Sequence, residues 1–170
     1  MLRPIATPLT AAGTVLLALI CSSPAAAADC DALGEVDAVV CEVNRVRAQR
    51  GLEPVVRDRR LHRAAAAHAR DMAARDYFSH VTPEGERLSD RLRRAGYISG
   101  RVSWRVGETL AWGRGQMATP AATVAAWMHS PPHRRVVLGR YDEIGVGVAD
   151  GVPSGGPGTT YAADLGALGG

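Results

Sequence analysis

The stretch IGVGVADGVPSGGPGTTYAADL, residues 144–165, decides the fold class. Ile144 to Ala149 and Thr159 to Leu165 read as two strands. Asp150 to Gly158 between them is so rich in Gly and Pro that it reads as a hairpin connection. Working back toward the N-terminus, the chain turns helical. Thr119-Pro120 is a helix opening with Pro at the first helical position, and Ala122, Val124, Ala125, Trp127 and Met128 carry that helix to Ser130. Pro131-Pro132 break it, and His133 to Leu138 form a final helical turn. Tyr97 to Trp112 holds several Gly and Ser and reads as a loop leading into a short buried strand or helical turn at Glu108 to Trp112. A third helix runs through Leu92 to Ala95, capped by Ser89 or the preceding loop and stopped by Gly96. Asp58 is the N-cap expected for a helix over 59–75, in which Leu61, Ala65, His68, Ala69 and Met72 share one face. Val36, Val39, Val40, Val43 and Val46 give the three-four spacing of a first helix over 35–49, with Gly51 as its stop. Helices first and a hairpin last argue for an α+β or layered α-β-α domain rather than alternating βαβ units.

At 170 residues, with 46% apolar and 22% charged positions, the chain has the composition of a single globular domain. Its net charge is +3, and all 20 basic residues are Arg. Acidic residues are interspersed with them, as in Arg57-Asp58-Arg59-Arg60, and no basic stripe interleaved with aromatics exists, which argues against a nucleic-acid partner. Arg3, the apolar run Val15 to Ile20 and the small residues Ala25 to Ala28 read as a signal peptide over 1–28, leaving one domain at 29–170 and a secreted, extracellular protein. The apolar run is too short to span a bilayer, and no later segment offers a transmembrane span. Cys21 is a poor lipid-attachment site, because Ile20 stands where such sites require a small residue. Cys30 and Cys41 remain as an even pair, which suggests a disulfide in an exported chain; two free thiols are the rival reading.

His80, Glu108 and His133 are ionisable residues in apolar frames. A buried carboxylate must find donors, and an imidazole is its natural partner. Such a cluster fits either zinc binding through His80 and His133, with Glu108 as general base, or a structural role in which a Glu bonded to backbone and a His tie loops together. No HExxH spacing is present. His129, at the end of the fourth helix, is a further candidate for lining the site. His62 and His68, six apart on one helix, do not share a face and read as surface or boundary residues. Ser130 has no nucleophile context. Trp104, Trp112 and Trp127 suit core packing as well as ligand platforms.

Several motifs together carry a family resemblance. They are Cys41-Glu42-Val43-Asn44-Arg45-Val46-Arg47, Phe78-Ser79-His80, Gly107-Glu108-Thr109-Leu110-Ala111, Trp127-Met128-His129-Ser130-Pro131-Pro132-His133-Arg134 and Glu143-Ile144-Gly145-Val146-Gly147. In this order they resemble the CAP superfamily (cysteine-rich secretory, antigen 5 and pathogenesis-related proteins), in its bacterial SCP-like extracellular branch. The resemblance implies a three-layer α-β-α sandwich with a central antiparallel sheet and a cleft at His80 and Glu108. Eukaryotic members carry two His and two Glu there, where metal ions have been found, and His80 and Glu108 match the first of each. Ser130 stands at the second Glu position, 159–163 depart from the second His strand, and Thr109 replaces an Asn, so a complete zinc set is not implied. The functional expectation is an extracellular module binding a small ligand, lipid or cation, with cell-wall material as a possible partner. A metal-assisted hydrolase and a structural cell-envelope protein are the alternatives.

Overall fold

The computed structural model describes residues 29–100 and 103–169. The signal-peptide reading and Cys21 fall outside the described residues. A 3-10 turn, Cys30–Ala32, leads into α1 (Glu35–Ala48). There follow β1 (Val56–Arg57), α2 (Arg59–Ala74), α3 (Leu88–Arg94), β2 (Trp104–Gly113), α4 (Pro120–His129), α5 (Pro131–Val137), β3 (Glu143–Asp150) and β4 (Thr159–Leu168). The four strands form one sheet in the order β1-β3-β4-β2. β3, β4 and β2 are antiparallel, as the resemblance implied. β1 adds a short parallel edge, so the sheet as a whole is mixed.

The largest departure from the sequence reading is β2, which pairs with β4 through ten residues where a loop and a short terminal element were expected. Strand pairing overrides the weak local preference of a segment broken by Gly107 and Gly113. Asp58 caps α2 as expected, accepting from the N–H groups of Arg60 at 2.7 Å and Leu61 at 3.0 Å. α3 begins earlier than expected, at Leu88, where the Asp90 carboxylate accepts from the Arg87 N–H at 3.1 Å.

The sheet is covered on both faces. Val39, Val43, Val124, Trp127 and Val137 of α1, α4 and α5 pack on Ile144, Val146, Tyr161, Ala163 and Leu165. On the opposite face α2 lies so close to β3 that a Cβ on Gly147 would sit 2.2 Å from the Ala65 carbonyl. The alternation of Ile144 and Val146 with Gly145 and Gly147 therefore serves two different layers, bulky toward α1 and α4, absent toward the backbone of α2.

Two polar residues of α1 lock this frame. The Asn44 amide donates to the Val55 carbonyl at 3.0 Å and accepts from the Val55 N–H at 2.9 Å, holding the entry to β1 as a strand neighbour would. Arg47, 3% exposed, donates to the carbonyls of Glu53, Val137, Gly139 and Tyr141. Cys30 and Cys41 form a disulfide, Cα to Cα 5.6 Å, that ties the segment before α1 to the helix itself. Replacing both with Ser is expected to lower the unfolding free energy by roughly 2–3 kcal/mol, the loop-closure value for so short a loop. Urea titration of the variant beside the oxidised protein reads this directly, and equal midpoints would refute it.

Candidate functional site

Glu108 points from β2 toward the α2 side of the sheet, and its side chain is 3% exposed. Three elements bring partners to it. The segment after α2 carries His80, whose Nδ1 lies 2.7 Å from Glu108 Oε1. α3 carries Arg91, itself buried, whose Nη2 donates to Glu108 Oε2 while Nη1 donates to the His80 carbonyl at 3.1 Å. α2 carries His68, fully buried, with Nε2 3.9 Å from Glu108 Oε2 and 2.9 Å from the Ser79 carbonyl. A fourth group comes from β4, where Asp164 stands directly across from Glu108 in the ladder, wholly buried, its two carboxyl oxygens without a partner among the described residues.

The electrostatics follow from this packing. Burial opposes ionisation of Glu108, but the His80 hydrogen bond and the Arg91 charge outweigh it and hold its pKa below the usual carboxylate value. Asp164 has burial and the neighbouring Glu108 charge acting together, which push its carboxyl well above the usual range. Burial lowers His68, with Glu108 offsetting part of the effect, so its imidazole is neutral and Nε2–H donates to Ser79. Glu108 accepts from Nδ1–H of His80, which orients the ring and leaves Nε2 on the side away from the carboxylate, on a side chain 55% exposed.

His133 lies half-buried on α5 and makes no hydrogen bond with His80 or Glu108; burial lowers its pKa, with a smaller electrostatic contribution from His80 in the same direction. His129 is elsewhere: exposed on α4, it lines a depression with Glu42, Val46, Gln49 and Arg50 of the α1 side. The His62 Nδ1–H donates to the Val146 carbonyl at 2.7 Å, tying α2 to β3. Trp127 is core, its indole N–H donating to the Leu110 carbonyl at 3.0 Å, while Trp104 and Trp112 are exposed.

The reading of His68 as a surface residue is corrected, and Arg91 and Asp164 were missed. A signal for two of them existed. His68 lies on the helix face otherwise composed of Leu61, Ala65, Ala69 and Met72, and Asp164 interrupts the buried run Tyr161 to Leu165. A polar residue on a buried face needs partners.

The zinc reading placed the ion on His80 and His133 with Glu108 as general base, and the donors there are few. His80 Nδ1 and both oxygens of Glu108 are already engaged, the oxygens by His80 and Arg91, and His68 Nε2 is committed to Ser79. Among the described residues no group of three or more His, Cys, Asp or Glu side chains is arranged to hold a metal ion.

The Asp164 environment has a stability consequence. Its folded pKa lies above the unfolded value of about 3.9, so the native state retains a proton that the unfolded chain releases as pH rises, and stability falls through that interval. Asp164→Asn removes this loss. The variant is expected to match the parent near pH ~3.5 and to exceed it at neutral pH, by about 1.4 kcal/mol for every tenfold difference in proton affinity between the folded and unfolded carboxyl. Urea midpoints at the two pH values test it; an advantage of equal size at both would show that ionisation is not the cause.

The geometry agrees with what comparison with known proteins finds. The protein YkwD of Bacillus subtilis is 33% identical over 114 residues, 66% of this chain and 41% of its own length. The membrane protein YlbC of the same organism is 35% identical over 107 residues, 62% of this chain and 29% of its own length. This chain thus spans less than half the length of these curated relatives. An extracellular SCP-domain protein from Bacillus anthracis superposes with a TM-score of 0.65 at 26% identity, over 78% of this chain and 40% of that one. An outer surface protein from Borrelia burgdorferi shares the fold, with a TM-score of 0.64 at 18% identity over 76% of this chain and 90% of its own. The model of the family described as cysteine-rich secretory proteins matches residues 40–161, and this chain belongs to that family, CAP.

Proposed function

We propose that this chain is an exported CAP-domain binding module in which His80 presents a carboxylate-oriented imidazole to a polar ligand, in a cleft it shares with His133. The observation that carries this reading is the half-exposed His80 ring fixed at Nδ1 by a buried Glu108, which Arg91 fixes in turn. A surface imidazole with no task needs no such support, since holding a buried carboxylate costs several kcal/mol unless it is paired. Orientation through one ring nitrogen leaves the other aimed at a partner, the arrangement used to place a hydrogen-bond acceptor or base. Export is supported by the signal-like segment 1–28 and by the extracellular and surface relatives, and cell-wall material is the ligand source that such a location offers.

A metal-assisted hydrolase is the weaker reading, because it supplies two ligands, His80 and His133, where a catalytic zinc takes three. A structural envelope role predicts no ligand at all.

The test is an NMR titration of the His ring resonances of the mature protein with soluble peptidoglycan fragments, beside His80→Ala. Saturable movement of the His80 and His133 signals together, lost in the variant while its fold is kept, is the expected result. No movement at millimolar fragment would overturn the reading, and micromolar zinc affinity abolished by His80→Ala would replace it with the hydrolase.

A further inference from the structure

A cavity of about 280 Å³ lies between α2, the turn over 82–86 and α3, and neither His80 nor His133 lines it. Its rim is ionic. Arg75 at the end of α2 pairs with Glu84, and Arg94 of α3 pairs with Glu86, the two arginine side chains being 41% and 65% exposed. His68, Asp71 and Arg91 also line it, and of these His68 and Arg91 are buried.

Each of the two buried side chains has one hydrogen-bonding atom unmet. His68 donates Nε2–H to the Ser79 carbonyl, so its ring, which burial keeps neutral, has only a lone pair at Nδ1. The Tyr77 hydroxyl stands 3.4 Å from that nitrogen, but its one proton goes to Asp71 Oδ2 at 2.6 Å. Two acceptors therefore face each other with no donor between them. On Arg91, Nη1 donates to the His80 carbonyl and Nη2 to Glu108, while the buried Nε has no partner among the described residues. Native structures seldom leave buried donors and acceptors unmet, because doing so forfeits their hydration without return.

The lining thus lacks a donor beside His68 and Asp71 and an acceptor beside Arg91. A ligand with one charge would answer one need and leave the other. The ionised lining is balanced as well, Asp71, Glu84 and Glu86 against Arg75, Arg91 and Arg94, and so favours neither a plain cation nor a plain anion. A water takes about 30 Å³ of liquid, so one bridging water does not fill the space, and drug-sized ligands need roughly 300–1,000 Å³. The volume suits a small molecule.

We propose that this cavity binds a small zwitterion of amino-acid size, its ammonium beside His68 Nδ1 and Asp71 and its carboxylate toward Arg91 and Arg94. The site goes beyond the binding reading above and does not depend on it. Its chemistry is specific: the ammonium supplies the donor that His68 and Tyr77 lack between them, and the carboxylate makes charge-assisted hydrogen bonds to guanidinium groups.

The experiment titrates the oxidised mature protein with glycine, L-alanine, D-alanine and L-lysine, each beside its N-acetyl and its carboxamide form, and follows the His ring resonances by NMR. Expected are saturable binding of at least one of these amino acids that moves the His68 signals, and a loss of about tenfold or more in affinity when either charge of its head group is removed. Asp71→Asn keeps an acceptor for the Tyr77 hydroxyl and removes the counter-charge, so it should weaken the same amino acid to a similar degree. The comparison of derivatives uses the parent protein alone and decides the matter even if Asp71→Asn fails to fold. No binding of any of the four at high millimolar concentration overturns the proposal. So does equal affinity for the acetyl or amide form, or unchanged affinity in a folded Asp71→Asn. Movement of the His80 signals with His68 left unmoved would put the ligand in the cleft and overturn this site while leaving the cleft reading in place.

Discussion

Arg91→Met is expected to lower the unfolding free energy by about 3–5 kcal/mol at neutral pH, the cost of breaking a buried ion pair and leaving its carboxylate behind. Arg91 is 2% exposed and is the guanidinium that offsets the Glu108 charge, with Asp164 buried alongside. Methionine fills much of the same volume, so the loss reports charge rather than a cavity. The sign with pH is definite. Glu108 has a folded pKa below its unfolded one, so its contribution is present in full above the unfolded value of about 4.3 and is lost as pH falls through the folded value. The deficit of Arg91→Met should therefore be large at pH ~7 and shrink below pH ~4, where the carboxyl is neutralised. Urea denaturation at the two pH values is the measurement, and a deficit under about 1 kcal/mol at neutral pH, or one that does not change with pH, would contradict the assignment.

Arg47→Ala is expected to cost about as much, roughly 3–5 kcal/mol, and for a different reason. Its guanidinium donates to the carbonyls of Glu53, Val137, Gly139 and Tyr141, which join α1 to the turn between α5 and β3. Removing it breaks four hydrogen bonds at once and orphans the buried Val137 carbonyl. Because the acceptors are carbonyls and Asp142 is the titrating group that acts on Arg47, this loss should change with pH far less than that of Arg91→Met. Arg47→Lys should recover only part, since a single ammonium cannot span the same set of acceptors. Parallel denaturation series for the two arginines separate the frame of the fold from the charge of the site, and a pH-dependent Arg47 deficit would show that they are not separate.

The His80→Ala titration bears on function, and the arginine series protects its interpretation. A His80 variant that loses ligand while Arg91 and Glu108 remain paired has lost recognition, not structure.

Some of this was legible early. The valine spacing 36–46, the Asp58 cap and the Gly/Pro-rich run before Thr159 each declare an element locally, because helix and turn preferences act over a few residues. β2 was not, since Gly107 and Gly113 weaken it as an isolated strand and only the ten-residue register with β4 makes it one. His80 and Glu108 stood out as polar residues in apolar frames and as family motifs. Arg91 did not, because an arginine in a helix rich in arginines carries no mark of the one that is buried.

The sequence by itself determined the helices over 35–49 and 59–75, the closing hairpin and the Cys30–Cys41 pairing expected of an exported chain. Only the tertiary structure decided that His68, His80, Arg91, Glu108 and Asp164 meet, which of the two acids holds its proton more tightly, and that β2 is an edge of the sheet. The reason is physical. Secondary structure follows from spacing along the chain, whereas a protonation state and an unpaired edge depend on what burial removes and on what arrives from distant parts of the chain.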